Sequence, residues 1–244
     1  MTPRKIFLAG ASGAIGKRLV PLLHEAGHQV FGTTRSAAKA RALRELGAEP
    51  VVVDVFDLAA LRDALGAARP EIVIHQLTDL PRDLDPAQMG AAVPRNARIR
   101  AEGTRNLVIA AIAAGARRMV AQSIAWAYAP GPEPHSESDP LDSEAQGDRG
   151  TTLRGVIALE GLTLLSPPLE GVVLRYGQLY GPGTHSDKPS DLSPLHVDAA
   201  AFAAFLAIDH GAPGAYNIAQ DNPHVATDKA RRELGWSASF RLPV

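Results

Sequence analysis

Residues 5–16 read Lys-Ile-Phe-Leu-Ala-Gly-Ala-Ser-Gly-Ala-Ile-Gly, an apolar run that passes into glycines at 10, 13 and 16. Helix-like spacing follows in residues 17–26, so the stretch predicts a strand, a tight turn and the start of a helix. Glycines suit such a turn because it needs backbone freedom, because a phosphate can approach N–H groups that no Cβ shields, and because the helix must pack closely on its sheet.

The start of that helix is also a suitable anion site. Its free N–H groups and the positive end of its dipole favour a pyrophosphate. An ordinary strand-to-helix turn is the alternative, because a short glycine pattern is a weak signal in a chain with 22 glycines. Its position at the start of an alternating chain favours a nucleotide site. The predicted site residues are Gly10, Ser12, Gly13, Ala14, Ile15 and Gly16.

Strands and helices alternate along the rest of the chain. Predicted strands cover residues 30–33, 50–53, 71–75, 118–122, 172–174 and 215–219. Predicted helices cover residues 37–46, 57–67, 96–114, 151–165, 196–208 and 226–234. Strands that read as continuous Val and Ile runs are buried on both faces, which predicts an α/β fold with a doubly wound parallel sheet. Residues 77–94 are predicted as a loop, and residues 129–150 as a mobile loop or lid, with a solvated linker as the alternative.

Composition narrows the class of protein. The 244 residues carry a net charge of −1 and no basic run, so we expect neither a nucleic-acid partner nor binding to an anionic membrane. The chain has no cysteine, which excludes disulfides and thiol catalysis. Its eight histidines are dispersed, so no metal site is predicted. No apolar run has the length of a signal peptide or membrane span, and we expect a cytoplasmic protein.

Several further motifs occur in a characteristic order. They are Gly10-Ala-Ser-Gly-Ala-Ile-Gly16, Asn96 with Gly103-Thr-Arg-Asn-Leu107, Leu174-Arg-Tyr-Gly-Gln-Leu-Tyr-Gly-Pro-Gly183, Leu195-His-Val-Asp198, Ala215-Tyr-Asn-Ile218 and Arg232-Glu-Leu-Gly-Trp236. Together they resemble the extended short-chain dehydrogenase/reductase family, the NAD(P)-dependent sugar epimerases and dehydratases. The resemblance implies a Rossmann domain over residues 1–175 and a small substrate-binding part over residues 176–244, packed as a single compact unit. It also implies a nicotinamide dinucleotide, a small-molecule substrate and, often, a homodimer.

Charge at the end of the second strand bears on the choice of cofactor. NAD-binding proteins usually place an acidic residue there, whereas this chain has Arg35, with Lys39 one turn further on. A guanidinium suits the 2′-phosphate of NADP, so NADP is predicted, with NAD possible and a solvated role for Arg35 as the alternative. Asp54 and Val55 resemble the family's adenine contact, although Asp54 could simply be a turn residue. Leu77 follows the fourth strand, at the ligand-binding end of the sheet, and completes the predicted cofactor contacts.

The catalytic positions that the resemblance implies depart from the family pattern. The family uses a Ser or Thr, a Tyr, and a Lys four residues after that Tyr. These positions fall on Ile124, Thr152 and Val156, and a one-residue shift would restore only Ser123. No Tyr in this chain is followed by Lys four residues later. The catalytic residues are therefore unknown from sequence. Candidates for another acid or base, each also explicable as structural, are Tyr128, Tyr176, His135 and His75.

Two functions, and a more distant third, are compatible with these residues. The first is an NADP-dependent oxidoreductase that acts on a small carbonyl or hydroxyl compound, with a proton from water or a non-family residue. The alternative is a non-catalytic NAD(P) redox sensor, and the third is an enzyme of this fold without hydride chemistry. Segment 184–195 is short, which leaves little chain to bind a substrate and argues against a bulky nucleotide sugar as the substrate. The predicted helix 151–165 is apolar nearly all round, which predicts burial against the sheet and against a second subunit.

Overall fold

A parallel sheet with seven strands forms the centre of the molecule, in a computed structural model that describes residues 2–81 and 84–243. The strands, in chain order, are β1 (Lys5–Ala9), β2 (Gln29–Thr34), β3 (Glu49–Val52), β4 (Ile72–His75), β5 (Arg118–Ile124), β6 (Glu170–Tyr176), β7 (Gln178–Tyr180), β8 (Pro194–His196) and β9 (Gly214–Ile218). The sheet order is β3-β2-β1-β4-β5-β6-β9, while β7 and β8 pair separately. The order reverses beside β1, so β1 and β4 flank the switch point where doubly wound sheets bind ligands.

Helices cover both faces of this sheet. They are α1 (Ala14–Glu25), α2 (Ala40–Glu45), α3 (Leu58–Ala68), α4 (Pro86–Arg98), α5 (Thr104–Ala113), α6 (Gly147–Leu164), α7 (Val197–Leu206) and α8 (Asp228–Leu234). Alternate residues of β1 enter different cores: Ile6 and Leu8 pack with α1 and α7, whereas Phe7 and Ala9 pack with α3 and α5. The predicted doubly wound α/β fold is confirmed.

The segment 77–94 differs from its prediction. We expected a loop because it contains three prolines, but α4 begins at Pro86. Proline is tolerated in a first turn, and the Asp85 side chain caps the helix by accepting a hydrogen bond from the Ala87 N–H. Pro94 lies inside α4. The helical path continues through a π-helical segment, Ile99–Gly103, into α5.

The segment between β5 and α6 is anchored to the body of the protein. His135 exchanges backbone hydrogen bonds with residues 224 and 226, and Tyr128 bridges to Leu141. The Arg149 guanidinium donates to the carbonyl oxygens of Trp126 (3.3 Å) and Tyr128 (3.2 Å). The helix predicted from residue 151 begins earlier, at Gly147.

The C-terminal residues are part of the same body. β9 extends the main sheet beside β6, and α7 packs on α1. The predicted boundary at residue 175 falls inside β6, so the division at that point, like the substrate-binding role of residues 176–244, stays a prediction.

α6 finds its second packing partner within the chain. A Cβ on Gly155 would lie 2.9 Å from the Cα of Ala97, so α6 and α4 approach closely. Ile157 nevertheless remains 37% exposed, and the homodimer stays a prediction. In the part of the chain that the structure describes, no helix has the length and apolar character needed to cross a membrane.

Candidate dinucleotide and substrate site

A cavity of about 1230 Å³ opens at the carboxyl ends of the parallel strands. It runs from the glycine turn after β1, past the end of β2, to the ends of β5 and β6. Its lining includes Gly10, Ser12, Gly13, Ala14, Arg35, Asp54, Val55, Leu77, Ser123, Ile124 and Tyr176. Most of the predicted cofactor residues therefore lie around one cavity, at the edge where open α/β sheets bind ligands.

Glycine is needed for a different reason at each of the three positions of the turn. Gly10 has a φ of +93°, and a Cβ there would lie 2.6 Å from the Gln76 carbonyl oxygen. A Cβ on Gly16 would lie 2.4 Å from the Gly10 oxygen. Gly13 has an ordinary φ of −79°, and among the described residues its Cβ would meet only the Gly10 oxygen, at 3.3 Å. Folding thus requires glycine at 10 and 16, whereas glycine at 13 keeps the cavity open.

The start of α1 presents positive charge to this cavity. Gly13 is the N-cap, and no side chain in the described ranges caps the first-turn N–H groups. Lys17 and Arg18 line the same cavity. Ile15, which is 5% exposed, and Gly16 lie behind this surface. An open cradle, free N–H groups and nearby cations fit a pyrophosphate.

The end of β2 is basic, as the sequence indicates. Arg35 and Lys39 line the cavity there. The Arg35 side chain is 60% exposed, and its Nη2 lies 3.9 Å from Asp79 Oδ1, a distance that leaves the guanidinium room to rearrange. The helix predicted over residues 37–46 is shorter than expected, because a 3₁₀ turn, Ala37–Lys39, precedes α2.

Asp54, Val55 and Leu77 line the cavity and also have structural bonds. Asp54 Oδ1 accepts a hydrogen bond from the Phe56 N–H at 3.0 Å, which is the turn role that we considered as its alternative. The Val55 carbonyl accepts from Asn106 at 2.9 Å, and the Leu77 N–H donates to His75 Nδ1 at 3.2 Å. Contact of these three residues with a cofactor stays a prediction.

The positions implied for catalysis are largely apolar. Ile124 and Val156 are buried and belong to one apolar cluster. Thr152 is half-buried on α6. Ser123 is fully buried, and its hydroxyl donates to Glu160 Oε1 at 2.6 Å. None of these side chains can act as the acid that the family places there.

The hydroxyl groups of the two candidate tyrosines form hydrogen bonds within the protein. The Tyr176 hydroxyl donates to the Ala200 carbonyl at 3.1 Å, and burial raises its pKa. The Tyr128 hydroxyl donates to Asn217 Oδ1 at 2.6 Å and accepts from Arg175 at 2.9 Å, and burial likewise raises its pKa. A raised phenol pKa makes proton donation near pH 7 weaker, and the hydrogen bonds of both hydroxyl groups within the protein favour a structural role.

His75 is a neutral structural residue. It is fully buried, and burial lowers its pKa from 6.5 to about 4. Its Nδ1 accepts the Leu77 N–H, which leaves the proton on Nε2 to donate to Thr104 Oγ1 at 3.1 Å. His135, in contrast, faces a second cavity while its ring stacks on Tyr128 and its Nδ1 lies 3.1 Å from Asp139.

Burial of His75 predicts a pH dependence of stability. The unfolded chain takes up a proton below pH 6.5, whereas the folded chain does so only near pH 4. The contribution of His75 is therefore complete above pH 6.5 and is lost as the pH falls from 6.5 through 4. We expect the free energy of unfolding to drop by about 2 kcal/mol between pH 7 and pH 5. Urea titrations at both pH values measure it. His75→Gln should flatten this dependence, whereas the exposed His210→Gln should keep it; equal slopes in both variants would contradict the assignment.

A buried ion pair beside the cavity was not predicted from the sequence. Glu160 and Arg175 are 4% and 5% exposed. The guanidinium donates from Nε (3.1 Å) and Nη2 (2.7 Å) to the carboxylate. Although burial opposes the charge, Glu160 raises the pKa of Arg175. Arg175 is in a motif that carries the family resemblance, but nothing in the sequence indicates that it pairs with Glu160.

The second cavity, of about 600 Å³, adjoins the first. Trp126 and Gln178 line both. Trp126 is 43% exposed, and Leu192, on the second cavity, is 54% exposed. A broad indole and a leucine that remain accessible give this region a surface suited to a flat apolar group.

Within residues 2–81 and 84–243, no three His, Asp or Glu side chains gather as a metal site would require.

The fold and the cradle for a pyrophosphate define a dinucleotide-binding protein of the Rossmann class. A family model described as NAD(P)H-binding matches residues 10–147, more than half of the chain. The chain belongs to this NAD(P)H-binding family, and the predicted resemblance to extended short-chain dehydrogenases/reductases is confirmed.

One sequence relative and two solved structures are similar to this chain. It is 42% identical over 267 residues to a 3-diazoavenalumate denitrifying reductase from Streptomyces sp, and the match covers 98% of this chain and 84% of that one. Its fold is similar to UDP-glucose 4-epimerase from Thermotoga maritima (TM-score 0.77, 17% identity, covering 97% of this chain and 94% of that one). It is also similar to UDP-glucose 4-epimerase from Bifidobacterium longum (TM-score 0.75, 16% identity, the same coverages).

Proposed function

We propose that this protein is an NADPH-dependent reductase that removes the diazo group of an aromatic compound as dinitrogen. One observation carries the proposal. The reaction end of the cavity has Ile124 where a hydroxyl donor would stand, and Val156 is buried where a lysine would stand. Such a site lacks the acid that a carbonyl reduction needs. The similarity to a denitrifying reductase supplies a reaction that can proceed without one.

The chemistry balances without an added proton. A bound nicotinamide would supply a hydride. An arene diazonium cation gains that hydride at its terminal nitrogen and becomes an aryl diazene, in which nitrogen is bonded to hydrogen. The carbon–nitrogen bond then breaks and dinitrogen leaves. The electron pair of the broken bond stays on the ring carbon, which takes up the diazene hydrogen as a proton. The diazonium is reduced, NADPH is oxidised, and no general acid takes part.

The residues around the cavity supply binding and orientation. The first-turn N–H groups of α1 and the open surface at Gly13 would hold the pyrophosphate, and Arg35 would hold the 2′-phosphate. Trp126 would offer a face to the aromatic ring of the substrate. Ile124, which is 5% exposed, would present an apolar surface to the reacting atoms.

A comparison of two matched substrates tests the proposed reaction. With NADPH present, an arene diazonium should be consumed at least about 100-fold faster than the corresponding aldehyde, because a missing general acid slows carbonyl reduction by that order. Reactions without protein correct for spontaneous reduction. Faster reduction of the aldehyde would instead support an oxidoreductase for carbonyl compounds, the function that the residues first favoured.

The same apolar positions also favour a second function, a redox sensor that binds NAD(P) without turnover. A sensor should bind the oxidised and reduced cofactors with unequal affinity and change conformation between them. Tight cofactor binding with neither substrate consumed would support it.

The homodimer and the cytoplasmic location stay predictions. A monomeric mass at micromolar concentration would contradict the homodimer.

Arg35 provides a test of the preference for NADP. Arg35→Ala should weaken NADPH binding by about tenfold to a hundredfold, because it removes charge-assisted hydrogen bonds to the 2′-phosphate, and should leave NADH binding unchanged. Calorimetric titration of the cofactor-free protein measures both affinities. Arg41→Ala removes an exposed cation that pairs with Glu45 on α2 and is the matched control. A parallel loss for NADPH and NADH would contradict the assigned role.

A further inference from the structure

Arg100 is a buried cation that faces the first cavity. It lies in the π-helical segment between α4 and α5 and is 7% exposed. Among residues 2–81 and 84–243, no side chain forms a hydrogen bond or ion pair with it. Burial lowers its pKa to about 10, against the opposing effect of Glu160, so the guanidinium is charged at neutral pH.

The charges around Arg100 are unbalanced. Glu160 already accepts hydrogen bonds from Ser123 and, twice, from Arg175. The π-helical segment of Arg100 packs against α6, which carries Glu160. The cluster of Arg100, Arg175 and Glu160 therefore buries two cations with one anion. An unpaired charge in the interior is costly, so the cluster suits an anion that arrives from the cavity. The phosphates of a dinucleotide have other places, at the start of α1 and beside Arg35.

Arg100 lies at the reaction end of the cavity. It lies one turn before Thr104, whose hydroxyl is 3.1 Å from His75 Nε2 at the end of β4. It also lines the same cavity as Ser123 and Ile124. We propose that Arg100 binds an ionised ring hydroxyl of the substrate, so that the substrate class is a hydroxylated arene diazonium. This inference rests on the proposed reductase function, because it identifies the group on which that site acts.

The proposed contact has a chemical purpose. An ionised hydroxyl on the ring donates electrons towards the diazo group and makes its terminal nitrogen a poorer hydride acceptor. A guanidinium bonded to that oxygen draws the electrons back. When the hydride has added and dinitrogen has left, the ring carries hydrogen on carbon and a full negative charge on oxygen. Arg100 would pair with that phenolate, so no proton is needed at this step.

A non-reacting phenolate tests the site directly. Para-nitrophenolate is titrated into NADP⁺-loaded protein, with its neutral methyl ether, para-nitroanisole, as the uncharged probe. Arg100→Met should weaken phenolate binding by about tenfold to a hundredfold and leave the ether unaffected, whereas Arg100→Lys should keep part of the affinity. Arg105→Met removes an exposed cation of α5 and is the matched control. Equal phenolate affinity in wild type and Arg100→Met would overturn the inference.

The melting temperature of Arg100→Met distinguishes a role in ligand binding from a structural role of Arg100. If the role of Arg100 is to bind a ligand anion, Arg100→Met should melt at the same temperature as the ligand-free wild type or at a higher one. The reason is that the substitution removes an unpaired buried charge. A lower melting temperature together with loss of both probes would show a structural role and overturn the inference. Because these measurements need no turnover, the two proposals fail separately: phenolate binding through Arg100 without diazonium reduction would reject the reaction and leave the anion site supported.

Discussion

A Gly13→Val chain is expected to fold and to lose at least about 100-fold in affinity for NADPH. The backbone at Gly13 has a φ of −79°, which valine adopts readily, and within the described residues an added Cβ would crowd only the Gly10 oxygen. Because Gly13 caps α1 without a side-chain bond, the substitution should cost only about 1 kcal/mol of stability. The branched side chain would instead occupy the approach of the pyrophosphate and remove its bonds to the N–H groups.

Calorimetric titration with NADPH, beside thermal melting, measures both effects. Gly66→Val is the matched control, because Gly66 is exposed on α3 and a Cβ there meets nothing within 4 Å among the described atoms. Its affinity for NADPH should equal that of the wild type. If Gly13→Val binds NADPH as tightly as the control does, the dinucleotide does not lie across this turn.

Glu160→Gln is expected to destabilise the protein by about 3–5 kcal/mol, the range for removing one partner of a buried ion pair. The substitution leaves Arg175 without its carboxylate and places an amide N–H₂ group against a guanidinium. It also removes the one anion of a cluster that holds Arg100 as well. Arg100 and Arg175 would then both be buried without this carboxylate.

Urea unfolding at neutral pH provides the measurement. Glu102→Gln breaks an exposed pair with Arg98 and should change the midpoint little. The double variant Glu160→Met with Arg175→Met should be more stable than Glu160→Gln, because it removes both charges. A loss for Glu160→Gln no larger than that for Glu102→Gln would mean that the buried pair contributes no stability.

Local patterns were sufficient to predict most of the fold. The glycine turn after β1 and the alternation of Val and Ile runs with amphipathic stretches depend on neighbouring residues, so the sequence indicates the sheet and its helices. The helix from Pro86 was missed because prolines usually mark loops, whereas here Pro86 lies in the first turn of α4 and Pro94 is accommodated inside it. The short pair β7 and β8 was also missed, since three-residue strands carry almost no periodic signal.

The candidate site was predictable only in part. The lack of a Tyr and Lys pair is a property of the sequence itself, and the apolar surroundings of Ile124 agree with it. The link between Arg100, Glu160 and Arg175 joins residues up to 75 positions apart through folding, so no local pattern could indicate it. Contacts of Arg35, Asp54 and Leu77 with a cofactor remain predictions, which the titrations above address.

The stoichiometry of a single reaction distinguishes diazo reduction from cofactor binding alone. Wild-type protein is mixed with NADPH and an arene diazonium that carries a ring hydroxyl and isotopically labelled nitrogen, and the gas is followed by mass spectrometry while NADPH is followed by absorbance. We expect one labelled dinitrogen released for each NADPH oxidised, at a rate that depends on the wild-type protein and is lost in Gly13→Val. Cofactor bound tightly, with dinitrogen release no faster than without protein, would contradict this expectation.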